Sequence, residues 1–382
     1  MPDIEAIDGV AAGDVEGVNG VAKANIQAIN GVGIAASGAT VWVMVQDDRN
    51  IAHAAASDLT SWTDYDAFAG TGASLYPSGS VDHIHLAYGK DGSGNPMWIG
   101  TYATNNCELA YTDDPTDGSV WTGIGKLADG STDFPDRIYA IQWGNGVWIG
   151  VGQMNQDSVL RSTDGVAWSL VDVSGCTDFV SGGDSYGLAS DGAGTWYFTQ
   201  HNRIYRSTND GAAWALHHTL LYEAHGDGNV DDDPGDIRAL AFTNSTLVAI
   251  TKTTGQVFSA AASDTTDWSA GAVLSSSANF GQQVRVAAGG GRVVMTYNQK
   301  KWTMDVSGKT ITIDENNVDL SGDATTHGNA TCAGTDGTTF VSGCLTGDVF
   351  SSTNGGDTWT AVATNVGSKD CIDVVPNVYL PV

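Results

Sequence analysis

The sequence predicts an all-β fold, a seven-bladed β-propeller of four-stranded blades preceded by a short repeat arm. Three observations support this: a turn ending in tryptophan recurs, the runs around it alternate apolar and polar residues, and helical periodicity is almost absent beyond the first 30 residues. The tryptophans of the recurring turn are Trp62, Trp121, Trp168, Trp214, Trp268 and Trp359. Their spacings are 59, 47, 46, 54 and 91 residues, and the last is close to twice 46, so one unit has lost its turn. Seven units of about 40–50 residues have the period of a propeller.

The turn has a consistent chemistry. Its clearest copy runs from Ser162 to Trp168 and joins the runs Val159–Ser162 and Ala167–Leu170, which alternate as hairpin strands do. In such a turn an Asp carboxylate accepts backbone N–H bonds, a Gly supplies a positive φ, and the Trp offers a large apolar surface between sheets. The residues predicted to have this structural role are Asp164, Gly165, Trp168, Asp210, Gly211, Trp214, Asp357 and Trp359.

The repeated turn resembles the Asp-box, also called the BNR repeat, with the pattern Ser-x-Asp-x-Gly-x-x-Trp. That motif occurs in sialidase-like, sortilin-like and xyloglucanase-like propellers and in the seven-bladed photosystem assembly factors. The resemblance implies that these Asp residues are structural and lie away from the binding face. The copies at Asp58 and Asp264 lack the Gly, and the copy at Asp114 carries an insertion.

A rhythm of four strands runs through the units. In unit three the predicted strands are Arg137–Trp143, Gly146–Gln153, Ser158–Ser162 and Trp168–Val173. The first strands of the other units are expected near Gly33, His83, Tyr186, Ile237, Val284 and Asn329. Unit six lacks the turn and carries Trp302 in its third strand. The tail, Cys371–Val375, is predicted to pair into the first blade and close the ring, although the innermost strand of that blade could come from either terminus.

The first residues differ from the rest, so we divide the chain into an arm, 1–32, and a propeller, 33–382. Ile7–Val10, Val18–Val21 and Ile29–Val32 repeat every 11 residues around Asp-Gly or Asn-Gly, which mark turns. The pattern resembles the INGV-type repeats of structural proteins of tailed phages, especially marine ones. That resemblance implies that the arm binds other virion proteins. A low-complexity arm of no special lineage is the alternative.

The charge of the chain excludes several partners. The formal net charge is −28, with only 16 Lys and Arg residues, so nucleic acid and anionic membranes are disfavoured as partners. The sequence has no apolar run near 18 residues and no basic segment before an apolar one at its start, so we expect neither a membrane span nor a secretory signal. A virion location is therefore predicted, with the cytoplasm as the alternative.

The cysteines leave the redox compartment open. Five are present, and no Cys-x-x-Cys pair occurs among them. Cys332 and Cys344 are expected on adjacent strands of the last unit. They could form a disulfide, but a reduced, buried pair is equally consistent with the sequence.

Three arginines are the candidate ligand-binding residues. Arg137, Arg238 and Arg285 lie at or near the start of innermost strands, which line the channel of a propeller, on the face opposite the Trp turns. Guanidinium groups suit carboxylate recognition, and the set resembles the arginine triad of sialidases, although the chain has no Phe/Tyr-Arg-Ile-Pro segment. Local ion pairs with Asp136 and Asp236 are the alternative.

An acidic loop is the candidate metal site. Asp227, Asn229, Asp231 and Asp233 place oxygen ligands at alternate positions, as calcium loops do. The loop is not an EF-hand, because Asp232 and Arg238 stand where Gly and Glu are required. Ca²⁺ is the only cofactor considered, and a solvated loop is the alternative. A transition-metal cluster of His217, His218, Glu223 and His225 matches no known spacing.

The sequence has no phosphate loop and no HExxH motif of catalysis. The leading prediction is a non-enzymatic structural virion protein of a tailed phage, tail- or appendage-associated, whose propeller contacts a neighbouring protein or a host glycan. The alternatives are a carbohydrate-binding or sialidase-like glycoside hydrolase propeller, and a propeller that acts as an assembly factor.

Overall fold

The structure is a computed structural model. It describes residues 6–7, 10–11, 17–18, 21–22, 28–29, 32–33, 41–46, 50–66, 85–102, 108–117, 121–135, 137–153, 157–221, 235–252, 255–269, 272–274, 284–297, 300–314, 330–344, 346–367 and 371–378. The chain divides into two compact units, residues 1–39 and residues 40–382.

The described residues of the first unit form three pairs of two-residue antiparallel strands. They are β1 (Ala6–Ile7) with β2 (Val10–Ala11), β3 (Gly17–Val18) with β4 (Val21–Ala22), and β5 (Ala28–Ile29) with β6 (Val32–Gly33). Each pair brackets one Asp-Gly or Asn-Gly dipeptide of the sequence, so the pairs recur with the 11-residue period of the arm.

The second unit contains seven four-stranded antiparallel sheets within the described residues, which confirms the predicted fold class. Blades one to four consist of β7 (Val41–Gln46), β8 (Asn50–Ala55) and β9 (Thr63–Asp66); β10 (Leu86–Lys90), β11 (Pro96–Tyr102), β12 (Glu108–Thr112) and β13 (Thr122–Ile124); β14 (Ile138–Gly144), β15 (Val147–Gly152), β16 (Ser158–Ser162) and β17 (Ser169–Asp172); and β18 (Leu188–Ser190), β19 (Trp196–Gln200), β20 (Arg203–Ser207) and β21 (Ala215–Thr219).

Blades five to seven consist of β22 (Ile237–Thr243), β23 (Thr246–Thr251), β24 (Gln256–Ala261) and β25 (Ala272–Val273); β26 (Arg285–Gly289), β27 (Arg292–Tyr297), β28 (Lys300–Ser307) and β29 (Thr310–Asp314); and β30 (Ala330–Thr335), β31 (Phe340–Cys344), β32 (Val349–Ser352) and β33 (Thr360–Ala363). The last strand, β34 (Cys371–Pro376), belongs to blade one.

The ring closes through that last strand. β34 pairs antiparallel with β7, with Val374 opposite Met44, and so becomes the innermost strand of blade one. The C-terminal segment therefore supplies this strand, as the sequence predicted for Cys371–Val375. The innermost strands of neighbouring blades contact one another from β34 through β10 and on to β30, which contacts β34 again. Closure of this kind leaves the inner strands without an exposed edge.

The apolar core lies between neighbouring blades. β15 is buried along its whole length, because its alternate side chains face blades two and four. Trp148 packs with Ile99 of blade two, whereas Ile149 packs with Phe198 of blade four, and all four side chains are fully buried. Middle strands therefore read as continuous apolar runs, as strands covered on both faces do.

The start of blade one differs from the sequence prediction. The first strand of blade one was expected near Gly33, but Gly33 lies in β6 and the blade begins at Val41. Unit six follows the prediction within one or two residues in β26 to β29, and its Trp302 lies buried in β28.

Cys344 is a free thiol, so the pairing with Cys332 that the sequence left open does not form. Its side chain is buried in β31, and burial raises its pKa to about 12. Cys176 is also a free thiol.

Candidate functional site

The Trp turns lie between the third and fourth strands of their blades and mark one face of the ring. In the copy after β16, Asp164 Oδ1 accepts hydrogen bonds from the N–H groups of Val166 and Ala167 at 2.9 and 2.8 Å. The indole of Trp168 donates to Gly165 O at 2.9 Å. Partial burial raises the pKa of Asp164, but these bonds outweigh it and leave that pKa below its usual value. The side-chain hydrogen bonds of Asp164 and Trp168 in this copy thus close within the turn.

In two other copies the accepting side chain is an asparagine rather than the predicted aspartate. Asn209 Oδ1 accepts the N–H of Ala213, and Asn354 Oδ1 accepts the N–H of Thr358, both at 3.0 Å. Asp210 instead accepts the Asn145 side chain, at 2.7 Å. These turns are one residue longer than the copy at Asp164, so the acceptor comes one residue earlier relative to the Gly and Trp.

The predicted Asp357 likewise belongs to a contact between blades. Its carboxylate pairs with the guanidinium of Arg292, from β27 of blade six. The indoles of Trp214 and Trp359 donate to Gly211 O and Gly356 O at 3.1 and 2.8 Å.

Glycine is required in these turns for two reasons. Gly165 has φ of 76°, and a Cβ there would lie 2.4 Å from Met97 Sδ of blade two. Gly211 has φ of 73°, and its Cβ would lie 2.4 Å from Ile149 Cδ1 of blade three. These two turns thus pack closely on the preceding blade.

The histidines considered as metal ligands contribute to the same packing. His217 Nε2 lies 2.6 Å from Thr265 Oγ1 in the Trp turn of blade five, and the ring of His218 stacks on Trp268. Burial lowers the pKa of both imidazoles. Glu223 and His225 lie outside the described residues. In the part of the chain that the structure describes, no three His, Cys, Asp or Glu side chains are grouped to hold a metal.

The predicted calcium ligands lie outside the residues that the structure describes. Asp227, Asn229, Asp231 and Asp233 belong to residues 222–234, which the structure does not describe. The Ca²⁺ site therefore stays a prediction.

The innermost strands surround a central cavity of about 310 Å³. Side chains from all seven innermost strands, or from the residues just before them, line it. Its polar residues near the starts of those strands are His85, Tyr139, Tyr186, Arg238, Arg285 and Asp373. These six residues define what we call the channel mouth.

Two β-bulges place side chains in the channel mouth. The register of β14 with β15 shifts between Ile138 and Ala140, which leaves Tyr139 as the extra residue. The register of β22 with β23 shifts in the same way and leaves Arg238 as the extra residue. Bulges redirect side chains out of the regular alternation. Both extra residues line the cavity.

The two bulged residues meet on the ring of Tyr186, which stands just before β18. Tyr139 stacks on this ring with centroids 4.7 Å apart, and the Arg238 guanidinium lies 3.8 Å from its centroid. The Tyr186 hydroxyl donates to Asp184 Oδ2 at 2.8 Å. Burial raises the pKa of Tyr186 to about 12, although Arg238 opposes this rise. The side chains of Tyr139, Tyr186 and Arg238 thus form one stack across blades three, four and five.

Arg238 is the most constrained group of the channel mouth. Its side chain is 4% exposed, and Nη2 donates to Asp236 Oδ2 at 3.1 Å. Asp236 Oδ1 in turn lies 3.1 Å from His201 Nδ1. The buried Nε and Nη1 of Arg238 have no hydrogen-bond partner among the described residues. The predicted pair with Asp236 forms, but it uses only part of the guanidinium.

On the opposite side of the channel mouth, Asp373 is largely buried. Its Oδ2 accepts the backbone N–H of Leu86 at 3.0 Å and lies 3.8 Å from His85 Nδ1. Burial raises the pKa of Asp373 to about 6, while Arg285 and two backbone N–H groups act to lower it.

The structure brings together two of the three predicted arginines. Arg238 and Arg285 line the cavity, whereas Arg137 is not among its lining residues. Arg137 O accepts the N–H of Gln153 and Asp236 O accepts the N–H of Lys252, so Arg137 occupies the Asp236 position of its blade. The residue of blade three that matches Arg238 is therefore Tyr139. Asp136 lies outside the described residues.

Sequence reasoning missed Tyr139, Tyr186, His85 and Asp373 as members of the site. Their place at the start of predicted innermost strands was the available signal. The bulges that turn Tyr139 and Arg238 inward leave no local mark in the sequence.

Comparisons with known proteins support the fold. No protein-family model and no curated protein matches the sequence. The chain is similar to apo AztD from Citrobacter koseri, with a TM-score of 0.52, 10% identity, and coverage of 89% of this chain and 98% of that one.

Two further structures resemble it. A streptogramin B lyase has a TM-score of 0.50 and 11% identity, over 79% of this chain and 89% of that one. YCF48 bound to D1 peptide has a TM-score of 0.48 and 17% identity, over 74% and 82%. At these identities the likeness extends to the propeller fold alone.

Among the described residues no helix is long and apolar enough to span a membrane.

Proposed function

We propose that the chain is a non-enzymatic structural protein of a tailed-phage virion, associated with the tail or an appendage. In this proposal the arm anchors the chain to other virion proteins. The propeller contacts a neighbouring protein or a host surface through the channel mouth. The same proposal covers the virion location.

The recognition role rests on one observation, the fixed channel mouth opposite the Trp turns. Arg238 is held there by Tyr186 and Asp236, and its buried Nε and Nη1 have no partner among the described residues. Buried donors of a charged group are costly when unpaired, which favours a site that receives an acceptor from a ligand. A rigid, pre-formed site on a closed ring is suited to binding.

The virion setting rests on the arm. Its strand pairs recur at the 11-residue spacing of the repeats that resemble those of tailed-phage structural proteins. Each pair has strands of two residues, too small to bury a core of its own. Short repeats of this kind suit packing against another surface.

The Asp-box assignment belongs to the same proposal. In the turns at Trp168, Trp214 and Trp359, a Ser hydroxyl accepts the glycine N–H while the Asp or Asn oxygen accepts an N–H further along. The indole then closes the turn on the glycine carbonyl. This repeated set of bonds supports a structural role for the motif.

The test is the protein content of intact particles. Phage particles encoding the chain are purified on a density gradient, and their proteins are quantified by mass spectrometry. We expect the chain at a fixed copy number per particle. A chain lacking residues 1–39 should fold, because the ring lies in residues 40–382, but it should be absent from particles. Absence of the full chain from purified particles would overturn the proposal.

A further inference from the structure

We infer that the channel mouth binds one small carboxylate anion, with Arg238 as its principal contact and entry from the face opposite the Trp turns. This inference deepens the recognition role proposed above by giving the chemical class of the ligand. Its test is made on the isolated chain and does not depend on the virion setting.

Arg238 has hydrogen-bond donors that the described residues leave unpaired. One guanidinium nitrogen, Nη2, is bonded to Asp236, while Nε and Nη1 are buried without a partner among the described residues. Leaving buried donors of a charged group unpaired is energetically costly. Arg238 and Tyr186 both line the cavity, and the guanidinium lies over the Tyr186 ring. A ligand in the cavity could bring the acceptor that these donors lack.

The Arg238 guanidinium is held in place by its neighbours before any ligand binds. Arg238 is the extra residue of a β-bulge. Its guanidinium lies 3.8 Å from the centroid of the Tyr186 ring, and its Nη2 is bonded to Asp236. Tyr139, from a second bulge, holds Tyr186 in turn. A guanidinium that is already ordered loses little side-chain entropy when it binds a ligand.

The charged groups of the channel mouth favour a singly charged ligand. Arg238 and Arg285 line the cavity, but the carboxylate of Asp373 lines it as well, and Asp236 contacts Arg238. The channel mouth is therefore close to neutral, and the whole chain carries −28. A doubly charged phosphate meets more repulsion there than a singly charged carboxylate does. Arginine is also the side chain best matched to a carboxylate.

The volume of the cavity limits the size of the ligand. A cavity of about 310 Å³ is near the lower end of the range for ligand pockets, which run from roughly 300 to 1,000 Å³. It accepts a small organic acid or one acidic sugar residue. The lining combines tyrosine rings with small apolar residues of the innermost strands, such as Ala239 and Ala287, which suits a ligand with a compact body.

The experiment is calorimetric titration of the purified full chain with acetate and glucuronate. Matched neutral ligands, acetamide and glucose, test the need for the charge, and inorganic phosphate tests the need for a carboxylate. We expect saturable binding of at least one carboxylate, and no binding of its neutral partner. Phosphate should bind at least about tenfold more weakly than that carboxylate.

Variants locate the site. Arg238→Gln should weaken the carboxylate at least about tenfold, since it removes charge-assisted hydrogen bonds. Arg161→Gln makes the same change on the Trp-turn face, where Arg161 Nε donates to Asp210 O, and should leave the affinity unchanged. If Arg238→Gln does not fold, ligand-detected NMR on the wild-type chain with each carboxylate and its neutral partner decides the matter.

Several outcomes would overturn the inference. These are equal binding of acid and neutral ligand, tighter binding of phosphate, no binding of either carboxylate, or an unchanged affinity in a folded Arg238→Gln chain. If the chain binds a carboxylate but is absent from virions, the proposed function is wrong and this inference stands. If the chain is present in virions but binds no carboxylate, this inference is wrong and the proposed function stands.

Discussion

Asp373 Oδ2 accepts the backbone N–H of Leu86 at 3.0 Å, and this bond joins the last strand of the chain to the innermost strand of blade two. The two residues lie 287 positions apart in the sequence. The bond therefore ties the C-terminal strand of blade one to the neighbouring blade at the point where the ring closes. The same carboxyl group lines the channel mouth, so closure and the candidate site share one residue.

The stability of the ring should depend on the ionisation of Asp373. Its pKa is about 6 in the folded chain and near 3.8 without the fold, so the folded state holds the proton more tightly. The contribution of this group is then fully present below about pH 4 and is lost as pH rises through 6. About 2 pKa units correspond to about 3 kcal/mol.

The comparison that isolates this effect is wild type against Asp373→Asn, which cannot ionise, with His85 and Arg285 present in both. Urea denaturation at pH 4, 5, 6 and 7 should show Asp373→Asn gaining stability relative to wild type as pH rises. A difference that is constant across this range would contradict the raised pKa.

The closing strand should be required for cooperative folding. A chain that ends after residue 370 lacks β34, so β7 loses its inner partner and blade one becomes an open edge. We expect broadened thermal unfolding by circular dichroism and aggregation by size-exclusion chromatography. Removal of residues 379–382 alone keeps β34 and serves as the control. A monomeric, cooperatively unfolding chain without β34 would show that closure is dispensable.

Trp168 should be among the most costly side chains to truncate. It is fully buried between blades two and three, and its indole donates to Gly165 O. Trp168→Ala should lower the free energy of unfolding by about 3–5 kcal/mol, and Trp168→Phe by about 1–3 kcal/mol. Denaturant titration measures both. Trp62 makes the same bond to Leu59 O but is only half-buried, so Trp62→Ala should cost clearly less.

The accepting position in the turn of blade four should be Asn209 rather than Asp210. Asn209→Ala removes the acceptor for the Ser207 hydroxyl and the Ala213 N–H, and should destabilise the chain by about 1–2 kcal/mol. Asp210→Asn keeps the acceptor for Asn145 and tolerates the φ of 56°, so it should change stability by less than about 0.5 kcal/mol. Thermal unfolding of the two variants compares them. The assignment fails if Asp210→Asn costs as much as Asn209→Ala.

Features encoded in short stretches were predicted correctly from the sequence. The spacing of the Trp turns predicted the number of blades, since each turn is built from neighbouring residues whose bonds close locally. The alternating runs of unit six predicted its strands without a turn, because strand pairing in a hairpin follows the chain. The first strand of blade one was misplaced because Gly33, where it was expected to start, pairs with Ala28 in the arm.

The candidate site depends on features that no short stretch contains. A one-residue bulge places Arg238 in the channel beside Tyr186 of the neighbouring blade, while Arg137, which looks equivalent in sequence, occupies the position of Asp236. The sequence by itself determined the blades and their turns, because these follow from local periodicity and turn chemistry. Only the tertiary structure decided which side chains meet in the channel mouth, because register and contacts between blades join residues far apart in the chain.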